Sequence, residues 1–264
     1  MKGETLEAYS GFAEVYDKFM DNVPYVEWTD YLISLLKENG VDTGLIAELA
    51  CGTGNVTAGL KAAGYDMIGI DNSVEMLQVA MEKEADEENK ILYLCQDMRE
   101  FELYGTVRAI VCICDGMNYI LEKADLVKIF KLVNNYLDKD GVFIFDLNTI
   151  FKYEILLGDR VIAENRHNMS FIWENYYDSE ERINEYDLTI YIEDKDDEEG
   201  RFSRFDEIHY QKGYTIEEIK DALDEAGMEF VAVYDAFTKE APKGDSERVY
   251  FIAREKYQEG KTYR

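Results

Sequence analysis

Positive charge is what this chain has least of. Its 264 residues hold 28 Lys and Arg against 56 Asp and Glu, a net charge of −28 with histidine neutral. Gripping a phosphate backbone requires clustered Lys and Arg, so bulk nucleic acid is demoted as a partner. A polybasic contact with anionic lipid is disfavoured for the same reason. No apolar run approaches the ~18 residues that span a bilayer, and residues 1–7 lack the apolar segment of a secretory signal. With two prolines there is no Pro-rich linker, and no internal repeat is evident. The four cysteines, Cys51, Cys95, Cys112 and Cys114, sit among apolar residues rather than in a disulfide framework. Cys112 and Cys114 lack the spacing of a redox pair, would share one face of a strand, and have too few partners for zinc. Buried reduced thiols, no metal and a cytoplasmic protein are expected.

What is present supports a folded enzyme-sized domain. Hydrophobic residues make up 47% and aromatic residues 13% of the chain, enough for a sizeable core. The length fits one α/β domain with an insertion, or one and a half domains. Apolar residues recur with helical spacing over residues 8–20 and 25–38, the latter stopped by Gly40. Strands then alternate with helices. Strands are predicted over 45–49, 66–70, 91–95, 109–114 and 142–147, and helices over 55–63, 73–84 and 124–137. Short apolar runs alternating with helices indicate buried parallel strands in a doubly wound sheet. After Asn148 the rhythm changes to period-two alternation over 169–177, 183–192 and 202–211, the mark of half-exposed antiparallel strands. A helix over 216–226 follows, with Thr215 and Glu218 as a capping box, and two strands, 230–234 and 249–254, close the pattern.

One segment carries chemistry. The first strand runs into Glu48-Leu49-Ala50-Cys51-Gly52-Thr53-Gly54-Asn55 and then a helix. Glycines at 52 and 54 permit a tight turn whose amides can approach a ligand, and the helix presents its N-terminal dipole. Asp71 closes the second strand, where a carboxylate can accept hydrogen bonds from ribose hydroxyls. Together these indicate a nucleoside-containing ligand. The third position of the dinucleotide fingerprint is Thr57, so a pyrophosphate is poorly served. Glu48 would sit badly beside two phosphates but well beside an ammonium and a sulfonium. These features point to S-adenosylmethionine.

On these residues the chain resembles the class I, Rossmann-like S-adenosylmethionine-dependent methyltransferases. The segment from Glu48 to Gly54 looks like the family's first motif, with Ala50 where glycine is more usual. Asp71 matches the ribose-binding acid, with Asn72 and Met76 at its flanking positions. Gln96-Asp97-Met98-Arg99 looks like the adenine-recognising segment, and Cys112 to Tyr119 like the fourth-strand motif bordering the reacting methyl. The resemblance implies a seven-stranded sheet of order 3-2-1-4-5-7-6, covering residues 42–150 and, by pattern, 215–255. Tyr9 to Asp17 is similar to an N-terminal helix that closes over the cofactor in small-molecule methyltransferases. Residues 171–177 and 209–214 look like strands of a three-stranded lid, as in the bacterial YqeM-like group.

These resemblances imply site residues and domains. Tyr9, Tyr16, Glu48, Ala50, Gly52, Gly54, Asp71, Asn72, Met76, Asp97, Met98 and Cys114 are expected at the cofactor, the Gly52 and Gly54 amides at its methionine end. His209, Asp115 and Tyr214 are candidate catalytic residues, and Asn118, Tyr119, Trp173 and Gln211 candidate acceptor contacts. His167, the other histidine, is expected at the surface, and Trp28 in helix core. Residues 1–40 are expected to cap the cofactor, 41–150 and 215–256 to bind it, and 151–214 to form an antiparallel β lid with an aromatic face that includes Trp173 and Tyr210 or their neighbours. Residues 174–207 carry fourteen acids against four bases, mostly on a solvated face. The expected activity is methyl transfer to a small-molecule acceptor by a monomer or homodimer, releasing S-adenosylhomocysteine. The alternatives are a tRNA or nucleoside methyltransferase, and a non-catalytic S-adenosylmethionine-binding protein.

Overall fold

The computed structural model describes residues 13–21, 23–84, 90–194 and 200–263. Helix α1 (Ala13–Phe19) is the described part of the first expected helix; Tyr9 and most of the acidic run at 194–199 lie outside the described residues. Helix α2 (Tyr25–Glu38) buries Leu32, Leu35 and Leu36 on one face and ends before Gly40, whose φ of +80° suits glycine. There follow β1 (Leu45–Leu49), α3 (Asn55–Ala62), β2 (Asp66–Asp71), α4 (Val74–Lys83), β3 (Leu92–Cys95), β4 (Val107–Cys112), α5 (Lys123–Tyr136) and β5 (Leu137–Asn148). Helix α4 starts at Ser73, whose hydroxyl accepts from the Met76 amide.

The central sheet has seven strands. With β10 (Glu229–Asp235) and β11 (Arg248–Arg254), its order is β10-β11-β5-β4-β1-β2-β3, the doubly wound Rossmann-like arrangement expected, closed by an antiparallel pair. Strands β1, β2, β4, β5 and β11 are buried on both faces, which explains their near-continuous apolar runs. On β5, Phe143 and Phe145 join Phe130 and Phe251 on one side, while Val142 and Ile144 join Leu32, Val56 and Leu60 on the other. Helix α6 (Ile216–Glu225) begins with the expected capping box of Thr215 and Glu218.

Between β5 and α6 stands a separate antiparallel sheet, β6-β7-β8-β9, made of Val161–Arg166, Met169–Asp178, Ile183–Glu193 and Phe202–Lys212. It has one strand more than expected, preceded by a π-helical turn at Lys152–Leu157. Strand β6 is an edge strand with few buried side chains, so its alternation is faint. Trp173 pairs with Leu188, which pairs with Glu207, and Tyr186 pairs with His209. With strand period two, Trp173, Glu207, His209 and Gln211 therefore share the inner face, and Tyr210 points out with Tyr176 and Glu185. Of the two aromatic residues named for the lid's face, Trp173 lies on the inner face, beside Tyr186, and Tyr210 lies on the outer one. His167 is exposed in the β6–β7 turn, as expected. The inner face packs on α1, with Phe19 edge-on to Phe171 at 4.9 Å.

The cysteines also need correction. Cys51 and Cys112 are buried, Cys114 is half-buried and Cys95 is exposed. Strand β4 ends at Cys112, because Cys114 and Asp115 turn into the left-handed region at φ +65° and +56°. Cys112 and Cys114 therefore do not share a strand face.

Candidate active site

A cavity of about 820 Å³ opens at the carboxyl ends of β1, β2 and β4, where open α/β sheets hold ligands. Its volume lies within the ~300–1,000 Å³ of small-molecule and cofactor sites. Glu48, Ala50, Gly52, Asp71, Asn72, Met76, Asp97, Met98 and Cys114 all line it, with Tyr16 from α1 and Tyr119. These expected residues come from five separate stretches of chain and meet around one space.

The turn after β1 is held from inside. The Gly52 amide donates to Asp71 Oδ2 at 2.8 Å and the Ser73 amide to Asp71 Oδ1 at 2.9 Å. The Gly54 amide donates to the Cys51 carbonyl at 2.9 Å. Both glycine amides expected at the ligand are therefore committed within the protein, and the glycines serve the turn's conformation. Gly54 does not line the cavity; at φ +76° it leaves room for Tyr93, whose hydroxyl a Cβ would meet at 2.5 Å. Ala50 has φ +54°. The usual glycine at this position thus answers a backbone requirement, and an L-residue there costs about 1–2 kcal/mol.

The cavity is acidic. Among the described residues lining it, Glu48, Asp71, Glu75, Asp97, Glu122 and Asp125 face a single cation, Arg99. That guanidinium is already forked onto Asp97, with Nη2 2.5 Å and Nε 3.0 Å from Oδ2, and the hydrogen bond holds the Asp97 carboxyl below its ordinary range. Glu48 is 2% exposed. Burial pushes it up to about 8; its hydrogen bond from the Thr57 hydroxyl at 2.5 Å opposes the shift and nearby Asp71 adds to it. No ion pair offsets that carboxylate among the described residues, so a cationic ligand group would restore its charge. Burial also raises Asp71, against the amides of Ser73, Gly52 and Asn72.

Helix α1 is tied to this turn. Asp17 accepts from the Thr53 hydroxyl at 2.6 Å and the Asn55 amide at 2.9 Å, and pairs with Lys83 of α4. Burial would raise Asp17, but the bonds from Lys83, Thr53 and Asn55 win and lower it. These bonds hold Tyr16 at the cavity wall.

At the opposite wall stand Cys114, Gly116 and Tyr119, the last two in a 3-10 turn at Gly116–Tyr119. The other acceptor-side candidates lie behind this wall rather than in it. Asp115 accepts from Arg248 Nη2 at 2.7 Å and from Gln211 Nε2 at 2.7 Å. Arg248 Nη1 also reaches Asp146 Oδ2 at 2.5 Å, and its guanidinium lies 4.8 Å above Trp28. Burial works against the Arg248 charge, but Asp146 and Asp115 outweigh it and keep it cationic. Asp146 in turn accepts from the amides of Cys114 and Asp115, pinning the two left-handed residues. Asn118 is fully buried and bridges the Asn148 backbone to the Lys212 carbonyl. Tyr214 is buried and donates to the Ile120 carbonyl at 2.5 Å. It does not line the cavity. The Trp173 ring lies 5.1 Å from that of Tyr186, tilted by 55°, and Tyr186 stacks at 4.7 Å on His209. His209 is 2% exposed and is linked to the cavity through Tyr119.

Sequence reasoning did not single out Asp17, Asp146, Glu207 or Arg248. An acid inside an apolar strand, Phe145-Asp146-Leu147, was a visible signal; Arg248 offered none, because its partners are remote in sequence.

The profile of a methyltransferase domain matches residues 46–141. YqeM of Bacillus subtilis (strain 168), a protein named as a methyltransferase, is 35% identical over 93% of this chain and 96% of its own. The crystal structure of a S-adenosylmethionine-dependent methyltransferase from Clostridium acetobutylicum ATCC 824 superposes with a TM-score of 0.82 at 30% identity, over 94% of this chain and 98% of that one. The sugar N-methyltransferase KedS8 of Streptoalloteichus sp ATCC 53650 shares the fold, with a TM-score of 0.74 at 18% identity over 92% and 93% of the two chains.

Proposed function

The chain belongs to the S-adenosylmethionine-dependent methyltransferases, in the YqeM-like group, and from that premise we propose that its acceptor is a small molecule bearing an amine. The supporting observation is the cavity lining of six acidic side chains against one already paired guanidinium. Such a wall favours cationic groups and repels phosphates. The fold's occurrence in a sugar N-methyltransferase agrees with this reading.

Bound S-adenosylmethionine supplies a methyl group already activated by its sulfonium and leaves as S-adenosylhomocysteine. In this reading Glu48 faces the positive end of the cofactor, Asp71 takes the ribose hydroxyls with the lone pairs left by Gly52 and Ser73, and Asp97 and Met98 flank the adenine. Residues 41–150 and 215–256 hold the cofactor and residues 1–40 cap it through Tyr16. Residues 151–214 form the lid, which excludes water and aligns the acceptor at Cys114, Gly116 and Tyr119. Among the described residues no helix is long and apolar enough to cross a membrane. In this reading the protein is a cytoplasmic monomer or homodimer, and its free cysteines support the reducing compartment.

The test is transfer of labelled methyl from S-adenosylmethionine to a panel of glycine, ethanolamine and glucosamine, beside bulk tRNA. Label in a small amine supports the proposal. Label confined to the tRNA, or to compounds without an amine, overturns it.

A further inference from the structure

Behind the cavity wall lies a polar chain that neither methyl-donor binding nor the fold requires. His209 Nε2 is 3.0 Å from Glu207 Oε2, and the two side chains are 0% and 1% exposed. Both project from the inner face of β9, where an apolar pair would bury more readily. His209 Nδ1 is 3.4 Å from the Tyr119 hydroxyl, which is 2.7 Å from the Tyr186 hydroxyl. The Tyr186 ring lies 4.7 Å from the imidazole at 13°, fixing its plane. Of these four residues only Tyr119 lines the cavity.

We propose that Tyr119 and His209 form a proton relay that takes the acceptor's proton, with Glu207 and Tyr186 as positioning residues. The proposal rests on the amine-acceptor reading above. Its direction follows from donor and acceptor chemistry. The Glu207 carboxylate accepts, so Nε2 carries the imidazole hydrogen and Nδ1 presents its lone pair to Tyr119. Tyr119 then donates to Nδ1 and accepts from Tyr186. A protonated amine has no lone pair for attack on carbon, so it must first lose a proton. In the step, the acceptor's N–H bond breaks and its electron pair stays on nitrogen. The proton joins the Tyr119 oxygen as the Tyr119 proton moves to Nδ1. One positive charge passes from the acceptor to His209, where the Glu207 carboxylate faces it. Tyr119 from the 3-10 turn, Tyr186 from β8 and Glu207 from β9 all face the imidazole. The 3.4 Å link is of the length that tightens when a ligand closes a site.

Two measurements decide it. The chain has only two histidines, and His167 is exposed in a turn, so ¹⁵N imidazole spectra of His167→Asn protein report His209 alone. The Nε2–H tautomer is expected, with an Nδ1 resonance that shifts in Tyr119→Phe. The Nδ1–H tautomer, or an Nδ1 resonance indifferent to Tyr119→Phe, overturns the relay. Glu207→Gln is expected to keep its affinity for S-adenosylhomocysteine, to lower kcat with the amine identified by the panel by about a hundredfold, and to move the acidic limb of the pH profile to lower pH. An unchanged kcat and limb overturn the relay. If Glu207→Gln does not melt cooperatively, Tyr119→Phe replaces it, with the same loss of kcat expected. Failure to methylate any amine defeats the acceptor reading, while the spectra still decide the relay.

Discussion

Glu48 is the residue whose chemistry responds most to what enters the cavity. Its carboxyl titrates near 8 in the folded chain, against ~4.3 when solvated. The folded state therefore binds a proton that the unfolded state has lost, and this contribution to stability is present at low pH and fades as pH rises through about 8. A bound ammonium reverses the preference and expels the proton. Affinity for S-adenosylhomocysteine is expected to weaken as pH falls from 8 to 6, by up to about tenfold per unit. Calorimetry in buffers of different ionisation enthalpy should show proton release at pH 7 that Glu48→Gln abolishes; binding without proton release would refute it. Asp71 is a different case, since its oxygens already hold the Gly52 and Ser73 amides. Asp71→Ala should weaken S-adenosylhomocysteine by about 2–4 kcal/mol, from lost charged hydrogen bonds and a loosened turn. Unchanged affinity in a calorimetric titration would remove Asp71 from the site.

At the scale of elements, Arg248 on β11 joins the end of β4 to β5. It reaches Asp115 and Asp146 across 133 and 102 residues of sequence. Asp146 holds the amides of Cys114 and Asp115, two consecutive non-glycine residues in the left-handed region. Arg248→Met keeps the bulk over Trp28 but takes from both carboxylates the guanidinium they are hydrogen-bonded to. Breaking a buried pair from one side destabilises by about 3–5 kcal/mol, so a lowered midpoint in urea is expected. The loss should shrink as Asp146 is protonated, because its carboxyl is already raised by burial. A denaturation midpoint equal to the parent's at pH 7 would show that the network is dispensable.

At the scale of the whole molecule, the second sheet is attached to the cavity wall by few polar contacts. Gln211 meets Asp115, the Lys212 carbonyl accepts from Asn118, and Tyr119 meets Tyr186 and His209. Asp17 ties α1 to the turn by bonds that do not involve the second sheet, while Phe19 of the same helix packs on that sheet. Replacing residues 161–212 by a short Gly/Ser linker is expected to abolish methyl transfer yet leave S-adenosylhomocysteine binding within about tenfold, or ~1.4 kcal/mol. A cooperative melt is the control. Transfer at the parental rate by the truncated protein would show that the sheet is not an acceptor lid and serves association instead.

The alternation of buried strands with helices, the turn from Ala50 to Gly54, the acid at 71 and the capping box at Thr215 were legible because each is a local pattern. Period two, period 3.6, a positive φ or a cap involves residues only a few positions apart. The same locality explains the near-agreement of most element ends, and the miss at β6, whose edge position leaves little apolar contrast. Which residues meet across the fold was decided by tertiary structure alone. His209 and Tyr214 are both polar residues near the end of the insertion, yet one is linked to the cavity through Tyr119 and the other tethers the Ile120 carbonyl. Trp173 and Tyr210 fall on opposite faces because the register of β7, β8 and β9 settles that question. Local chain stiffness writes secondary structure and the donor-site turn into the sequence. Sheet register and long-range charge pairing, which join Arg248 to Asp115 and Glu207 through His209 to Tyr119, exist only once the chain has folded.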